Sequence, residues 1–369
     1  MLYSLDEICL IPSKLSQVYS RSHVNILTDN QRYPIFVAPM ASLIDQGNCD
    51  EFKNKGFNVV IPRSVNWSTR IAKMKQGYWI AVGFHEAKML YNYISDETGA
   101  GTFNYITKIC IDQAHGHLDS LLKLCKCFKD SFGAGVCIMT GNIANPETYQ
   151  EYAKCGVDYI RVGIGGGNVC TTSVQTGQHY PLGSLIIECN KQRNQVLENT
   201  KLGVKYLSIP KIVADGGFKR IDQCVKAIAL GADYIMLGEI IAKSKEACGE
   251  EYIKDESTGK FYPISLIQIS KDINVSDRLY REYFGMSTEK AQYLVHEASG
   301  YESDEFEIKH SEGQHKFVHI DYPISEWVMD FEHALRSSMS YSNAKNLDEF
   351  IGKVKFDYMT PVTYNAYMK

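Results

Sequence analysis

Residues 161–172, RVGIGGGNVCTT, combine residue types that could carry out covalent chemistry. Cys170 follows a glycine-rich loop, and the loop directly follows a predicted strand. Glycines let backbone amides and carbonyls approach a ligand or an ion, and a thiol held there can attack an electrophilic carbon. A tight turn followed by a packed cysteine would explain the same residues, so the motif alone does not define a nucleophile. The glycines of the loop are Gly163, Gly165, Gly166 and Gly167.

Two further glycine motifs follow later predicted strands. ADGG occupies residues 214–217, and Gly238 ends the run DYIMLG. Loops at such positions commonly bind phosphate in barrel enzymes, through backbone amides and a helix N-terminus. Gly216 and Gly217 therefore suit an anion cradle, although Asp and Gly are also ordinary turn residues.

The elements that must position these motifs are eight short apolar runs, separated by stretches of helical periodicity such as residues 146–155 and 219–230. Apolar runs of this kind indicate strands that are buried on both faces. Eight alternations of strand and helix predict a closed parallel (β/α)8 barrel, because a doubly wound open sheet usually has fewer strands. The runs are PIFVAPM (34–40), FNVVIP (57–62), WIAVGF (79–84), YITKICIDQA (105–114), VCIMTGNI (136–143), DYIRVGIG (158–165), KIVADGG (211–217) and DYIMLG (233–238).

The chain after the eighth run is polar and interrupted. We expect a long flap insertion over about 250–320, because such stretches in compact enzymes are lids or disordered loops. An amphipathic helix is expected over 324–340, followed by a tail that ends at residue 369. The sequence thus predicts one barrel domain over residues 1–369.

Composition excludes several classes of function. The chain has 369 residues, 44% of them hydrophobic and 22% charged, as in an ordinary globular enzyme. A net charge of −4 with dispersed basic residues argues against a nucleic-acid partner. The sequence has no membrane-length apolar run and no N-terminal signal pattern, so we expect a cytoplasmic protein with no membrane partner. The eleven cysteines are scattered without zinc-site spacing, and we expect most to be reduced packing residues.

Eight segments, taken in order, resemble the signature of the IMP dehydrogenase and GMP reductase family. They are YSLDEICLIPSK near the start, SRS (20–22), DQAHGH (112–117), GIGGGNVCTT (163–172), ADGG (214–217), YFGMS (283–287), SEG (311–313) and LRSSMSY (335–341). They span nearly the whole chain. The resemblance implies the same barrel, a purine-nucleotide substrate and a homo-oligomer, usually a tetramer, with the cofactor site near a subunit boundary.

The resemblance also implies roles for particular residues. Cys170 would be the nucleophile toward the purine ring, with Thr172 beside it and Glu312 helping to release ammonia. Backbone carbonyls of Gly165, Gly167 and Cys170 would hold a monovalent cation such as K⁺. The residues implied to bind substrate are Asp215, Gly216, Gly217, Gly238, Glu239, Tyr283, Gly285, Met286 and Ser287. Those implied to bind NADPH are Ser20, Arg21, Arg63, Asp112, Gln113, Ala114, Ile164, Gly165, Ser311, Gly313, Ser337 and Ser340.

The two branches of the family share the covalent step and differ in the chemistry after it. The dehydrogenase must activate water, for which its flap carries an Arg-Tyr pair, and the corresponding positions here are near Ser299 and Gly300. The segment CTTSVQTGQHYP and the tail LRSSMSYSNAKNLDEF are similar to reductases, and the chain has no room for the regulatory insert of many dehydrogenases. We therefore expect NADPH-dependent conversion of GMP to IMP and ammonia through a thioimidate on Cys170.

Two residues depart from the family pattern. Glu239 stands where Gly or Ser is usual, and a carboxylate about 4 Å from a phosphate is repelled by roughly a few kcal/mol. Glu239 could turn away, Lys243 could neutralise it, or the substrate could lack a 5′-phosphate. Ser173 replaces the usual Arg beside the cation loop. A reductase of an altered purine, an IMP dehydrogenase and a catalytically silent nucleotide sensor therefore stay open as alternatives.

Overall fold

The computed structural model describes residues 1–99, 106–267, 275–299, 308 and 310–367. The strands are β1 (Ile8–Leu10), β2 (Ile35–Val37), β3 (Asn58–Ile61), β4 (Trp79–Val82), β5 (Thr107–Asp112), β6 (Val136–Ile143), β7 (Tyr159–Val162), β8 (Lys211–Asp215), β9 (Tyr234–Leu237), β10 (Glu251–Asp255), β11 (Phe261–Pro263), β12 (Val275–Phe284), β13 (His315–His319) and β14 (Phe356–Tyr358). The helices are α1 (Cys49–Asn54), α2 (Trp67–Lys75), α3 (Phe84–Gly99), α4 (Asp119–Phe132), α5 (Thr148–Cys155), α6 (Thr172–Thr176), α7 (Leu182–Lys201), α8 (Ile221–Leu230), α9 (Glu239–Ala242), α10 (Ile264–Ile267), α11 (Glu289–Ser299), α12 (Ile324–Tyr341), α13 (Leu347–Phe350) and α14 (Pro361–Tyr367).

Strands β2 to β9 close into a parallel barrel in chain order, and β9 returns to pair with β2. Each of the eight strands lies within one of the eight predicted runs, so the (β/α)8 prediction is confirmed. Residue 105, at the start of the fourth run, lies outside the described residues. The barrel fixes where chemistry can occur, because the loops that follow its strands meet at one end.

Three predicted helices are also confirmed. Helix α5 falls within 146–155, α8 falls within 219–230, and α12 covers the segment expected at 324–340. Phe331, Leu335 and Met339 of α12 are fully buried and lie four residues apart. That spacing places them on one face of the helix, which packs against the core.

The interior of the barrel is aromatic at one end and charged at the other. Phe36, Trp79, Tyr159 and Tyr234 contact one another through edge-to-face and tilted rings, with centroids 5.1 Å apart for Trp79 and Tyr159. Three of these four residues begin their strands, so the aromatic cluster fills the N-terminal end. Charged side chains occupy the opposite end, where the site is.

The flap forms an antiparallel sheet, in contrast to the irregular segment expected from its polar sequence. The strand order is β11-β10-β12-β13. Arg281 of β12 is buried, with 1% of the residue exposed. Its guanidinium donates to the carbonyls of Ala242 at 3.2 Å and Ser244 at 2.5 Å, which anchors the sheet to the end of α9. The strands were missed because their short runs mix charged residues with aromatic ones on the two faces. Gly300 lies outside the described residues.

The tail is ordered where it meets the start of the chain. Strand β14 pairs antiparallel with β1, with Ile8 opposite Tyr358, and the rings of Tyr3 and Tyr358 stack at 3.9 Å. The sequence did not predict this small sheet, because each strand is three residues long.

The eleven cysteines are free thiols, of which Cys49, Cys110, Cys125, Cys189 and Cys224 are buried. No cluster of three or more His, Cys, Asp or Glu side chains suited to a metal ion occurs in the described part of the chain. Within the same ranges, no helix has the length and apolar character needed to span a membrane.

We expect Phe36→Ala to lower the free energy of unfolding by about 3–5 kcal/mol, because it removes a 1% exposed ring from the centre of the aromatic cluster. Denaturant titration followed by circular dichroism measures the change. Tyr19→Ala is the matched control, since Tyr19 is 87% exposed and surface changes usually cost less than about 0.5 kcal/mol. Equal effects of the two substitutions would contradict the cluster's role in stability.

Candidate active site

The glycine-rich loop after β7 packs directly on the ADGG loop after β8. Gly163 has φ +132°, and a Cβ there would lie 2.2 Å from the carbonyl oxygen of Asp215. A Cβ on Gly217, which has φ +83°, would lie 2.7 Å from the carbonyl oxygen of Gly166. Only glycine fits such contacts. The two motifs identified separately in the sequence therefore form one surface at the C-terminal end of the barrel.

A thiol, a hydroxyl and a carboxylate form a continuous hydrogen-bonded chain on this surface. The Cys170 thiol donates to Thr172 Oγ1 at 3.3 Å, and the Thr172 hydroxyl donates to Glu312 Oε2 at 2.6 Å. Cys170 and Thr172 belong to the barrel, whereas Glu312 comes from the flap. The structure thus brings together the three residues that the sequence singled out for catalysis.

Backbone contacts hold the flap segment in place. The Thr171 N–H donates to the carbonyl of Glu312 at 2.8 Å, and the Gln314 N–H donates to the carbonyl of Val169 at 2.8 Å. Cys170 and Gly313 form an antiparallel bridge between the two segments. Because these bonds involve the main chain, they fix the position of Glu312 independently of its side-chain rotamer.

The arrangement can move a proton between a bound molecule and Glu312 through the Thr172 hydroxyl. Nucleophilic catalysis requires a thiol within reach of such groups, and a carboxyl at the end of the chain can act as general acid or base. The half-buried Cys170 and its neighbours therefore have the groups that covalent chemistry with proton transfer requires.

Sequence analysis missed Arg161, which joins two expected site residues. Arg161 donates from Nη1 to Asp112 Oδ1 at 2.5 Å and from Nη2 to Asp215 Oδ2 at 2.8 Å, and Asn142 Nδ2 also donates to Asp215 at 2.8 Å. Burial alone would lower the pKa of Arg161, but the charges of Asp215 and Asp112 outweigh it and raise the pKa above its ordinary value. The available signal was an arginine inside the otherwise apolar run DYIRVGIG.

Glu239 is half-buried and lies among cations. Its Oε2 accepts from Asn168 Nδ2 at 2.6 Å and from Lys316 Nζ at 2.8 Å, and Lys243 Nζ lies 3.6 Å from Oε1. Burial raises the pKa of Glu239, but Lys316, Lys243 and Asn168 together lower it below its usual value. Of the three explanations for this residue, neutralisation by Lys243 agrees with the geometry. No sequence pattern indicated Lys316, because it lies 77 residues away in the flap.

The YFGMS segment lies against the same end of the barrel. The Tyr283 hydroxyl lies 2.6 Å from the position a Cβ on Gly238 would occupy, and it is 3.8 Å from Met40 Sδ. The sulfur of Met286 accepts from the Ala41 N–H at 3.4 Å.

The same segment also contacts the chain that follows Glu312. The Gly285 N–H donates to the Gln314 carbonyl at 3.2 Å, while a Cβ on Gly313 would lie 2.8 Å from Ser287 Oγ. The expected substrate residues therefore surround the strand ends of β8 and β9.

Apart from Arg63, the residues expected to bind NADPH fall into two groups. Asp112 is the last residue of β5, and Gln113 and Ala114 follow it. Ile164 and Gly165 belong to the loop with Cys170, and Ser311 and Gly313 adjoin Glu312. The second group consists of Ser20, Arg21, Ser337 and Ser340, on the N-terminal segment and α12.

The second group forms its own surface. The Ser340 hydroxyl donates to the Val18 carbonyl at 3.1 Å, and Ser20 caps the short helix that begins at Arg21. Ser337 lines a cavity of about 340 Å³ beside Ile11.

Arg63 has a partner that the sequence did not indicate. Its Nε donates to Glu86 Oε2 at 2.9 Å, and the same carboxylate binds the fully buried Arg70. This ion-pair cluster holds Arg63 beside Gly83, where a Cβ would lie 2.7 Å from Arg63 Nη2.

The carbonyls expected to hold a cation already accept bonds within the loop. Gly165 O accepts from the Ser173 hydroxyl at 3.3 Å, and Gly167 O accepts from the Cys170 N–H at 3.0 Å. A carbonyl oxygen has two lone pairs, so each can still take a second partner. Gly165 and Gly167 therefore keep the capacity to bind a monovalent cation, and Ser173 stands in place of an arginine.

Fold and site together describe a (β/α)8 barrel with a thiol and a hydroxyl at the C-terminal end of a strand and a carboxylate from the flap beside them. Residues 103–263 match the family model described as the IMP dehydrogenase / GMP reductase domain. This match agrees with the family that the motifs of the sequence predicted. Both names denote oxidoreductases, and the chain is an enzyme of that class.

Curated relatives include members of both branches. The chain is 27% identical over 362 residues to a GMP reductase of Albidiferax ferrireducens, covering 96% of this chain and 95% of the relative. It is 27% identical over 357 residues to a GMP reductase of Oceanobacillus iheyensis, covering 94% and 93% of the two chains. It is 31% identical over 271 residues to an inosine-5′-monophosphate dehydrogenase of Methanocaldococcus jannaschii, covering 69% of this chain and 47% of that one.

We expect Arg161→Met to lower the free energy of unfolding by about 3–5 kcal/mol, because it leaves the carboxylates of Asp112 and Asp215 without their buried cation. Thermal and denaturant unfolding measure the loss. Lys126→Met is the control, since its pair with Asp130 is exposed and such pairs contribute little to stability. A stable Arg161→Met protein would show that the two carboxylates do not depend on this cation.

Proposed function

We propose that the protein is an NADPH-dependent reductase that converts GMP to IMP and ammonia through a covalent thioimidate on Cys170. The observation that carries the proposal is the hydrogen-bonded chain from Cys170 through Thr172 to Glu312. It supplies a nucleophile for C2 of the purine and a proton for the leaving amine. GMP is the substrate named for the relatives that match nearly the full chain.

The covalent step begins when the Cys170 thiol passes its proton through the Thr172 hydroxyl to Glu312 and Sγ forms a bond to C2. The C2–N2 bond then breaks, and the amino group leaves as ammonia with a proton that Glu312 delivers through the Thr172 hydroxyl. The ring remains attached to the protein as a thioimidate. Bound NADPH supplies the hydride that this carbon needs. Breaking the S–C2 bond frees IMP and returns the thiolate of Cys170.

Different residues around the strand ends would bind different parts of the substrate. Tyr283 and the loops of Gly216, Gly217 and Gly238 would hold the ribose and phosphate, and Met286 and Ser287 would meet the base. Asp215, held by Arg161, presents a fixed carboxylate, which is the acceptor that ribose hydroxyls need. A purine nucleotide is the substrate class that this lining supports.

The residues that would bind the cofactor form two groups, which suits an assembly in which neighbouring copies share a cofactor site. Asp112, Gln113 and Ala114 would meet the nicotinamide end, whereas Ser20, Arg21, Ser337 and Ser340 would meet the adenosine end. Arg21 is exposed and could pair with a 2′-phosphate, which distinguishes NADPH from NADH. We propose that a neighbouring copy in a homotetramer brings the second group to the first, and that the enzyme acts in the cytoplasm.

Reduction fits the flap better than dehydrogenation does. Hydrolysis of the thioimidate needs a base that activates water, and the sequence of residues 250–320 contains no Arg-Tyr pair for that role. Release of ammonia needs a proton donor, which Thr172 and Glu312 supply. A catalytically silent nucleotide sensor would not require the hydrogen-bonded chain from Cys170 through Thr172 to Glu312.

We expect wild-type enzyme with GMP and NADPH to lose absorbance at the reduced-nicotinamide band and to release ammonia. Cys170→Ala should abolish turnover, and Thr172→Val and Glu312→Gln should each lower kcat by about 10²–10⁴, because proton transfer contributes that much. The exposed Cys127, changed to Ala, is the control. NADH formation from IMP would instead identify a dehydrogenase, and turnover of neither nucleotide would refute the reaction.

Replacing K⁺ with Li⁺ at constant ionic strength should lower kcat, since the carbonyls of Gly165, Gly167 and Cys170 fit a larger ion that orders the thiol loop. The steady-state rate with GMP measures the effect, with circular dichroism as a check on folding. Identical rates in the two salts would mean that the loop needs no cation.

A further inference from the structure

Lys316 lies at the centre of a polar cluster that the reaction at C2 does not use. It stands on β13 directly opposite Tyr283 on β12. Its Nζ is 2.8 Å from Glu239 Oε2 and 5.7 Å from the centre of the Tyr283 ring. The Lys316 side chain is 35% exposed, whereas that of Glu239 is 13% exposed. The ammonium group is therefore held by the protein but open on one side.

The cluster occupies the place where barrels of this type bind phosphate. Such sites form from the loops after the seventh and eighth barrel strands, which here are β8 and β9. Glu239 directly follows β9 and Gly238, and the Tyr283 hydroxyl lies against Gly238. Lys316 thus reaches this place from the flap rather than from the barrel.

The cluster contains more hydrogen-bond donors than acceptors. An ammonium group has three N–H donors, and Glu239 accepts one from Lys316. The Tyr283 hydroxyl, 4% exposed as a residue, has the thioether of Met40 as its hydrogen-bonding partner, and sulfur is a weak acceptor. Both groups can donate further to an anion.

The charges favour an anion as well. Glu239 carries one negative charge, while Lys316 and Lys243 carry two positive charges beside it. A phosphate bound to Lys316 would be closer to that ammonium than to the carboxylate behind it. Since the interaction energy falls with distance, attraction by the lysines outweighs repulsion by Glu239.

One flap segment connects this cluster with the thiol. Glu312 and Lys316 are four residues apart, which at roughly 3.3 Å per residue of extended chain spans at most about 13 Å. Glu312 bonds Thr172 beside the nucleophile, and Lys316 bonds Glu239 at the phosphate loops. The same segment therefore contacts both ends of a nucleotide-sized ligand.

We propose that Lys316 binds the 5′-phosphate of the substrate and makes the enzyme selective for nucleotides over nucleosides. Glu239 acts as a positioning residue that holds the ammonium group beside Gly238, and Tyr283 donates to the same phosphate. The proposal rests on the function proposed above, because it assigns one end of that substrate. It also accounts for a carboxylate at a phosphate loop.

The test compares GMP with guanosine in wild-type enzyme, Lys316→Met and Lys316→Arg. We expect Lys316→Met to lower kcat/KM for GMP by about 10–100-fold through KM, because a hydrogen bond to a charged group is lost. Its kcat/KM for guanosine should fall by a much smaller factor, because guanosine has no phosphate for Lys316 to bind. Lys316→Arg should retain the preference for GMP, since the charge remains. Lys290→Met is the control, because Lys290 is an exposed flap lysine paired with Glu282.

Calorimetric titration of each variant with GMP and with guanosine, without cofactor, separates this proposal from the reaction. Weaker binding of GMP alone to Lys316→Met supports the phosphate contact even if no NADPH is oxidised, in which case only the proposed reaction fails. A wild-type enzyme that prefers guanosine, or a Lys316→Met protein that loses both ligands equally, overturns the proposal. The first of these results would make Glu239 an acceptor for a 5′-hydroxyl.

Discussion

The backbone pairing between the thiol loop and the flap segment is the contact on which the candidate site depends. Cys170 bridges to Gly313, and the Thr171 N–H binds the Glu312 carbonyl. Without this pairing, the carboxylate of Glu312 would have no fixed relation to Thr172, since the two residues are 140 positions apart in the chain. Main-chain hydrogen bonds determine where the side-chain chemistry takes place.

Two other parts of the fold support that contact from opposite sides. The glycine-to-glycine packing of the loops after β7 and β8 fixes the barrel side, because neither loop has room for a side chain at Gly163 or Gly217. Arg281 fixes the flap side by binding the carbonyls at the end of α9. The flap sheet is thereby attached through a buried cation, in addition to the buried side chains of Tyr283 and Val318.

The sequence predicted the barrel well, because strands buried on both faces are continuous apolar runs that stand out locally. It also identified Cys170, Thr172 and Glu312, whose motifs are short and specific. It could not predict the link between Asp112 and Asp215 through Arg161, since the three residues come from different strands and meet only after the barrel closes. Lys316 was missed for a similar reason, because a lysine in a polar segment looks like any solvated charge. The tail strand β14 depends on a partner near residue 8 and has no local signal.

The division of the site between barrel and flap has an evolutionary consequence. The proposed nucleophile and its glycine loop belong to the barrel, while the carboxylate of Glu312 comes from the segment that leads into β13 of the antiparallel flap sheet. Substitutions confined to the flap can change the groups that transfer protons in the site, while the thiol of Cys170 stays the same. A lineage could thus acquire a new reaction through changes in the flap while the thiol loop of the barrel is retained.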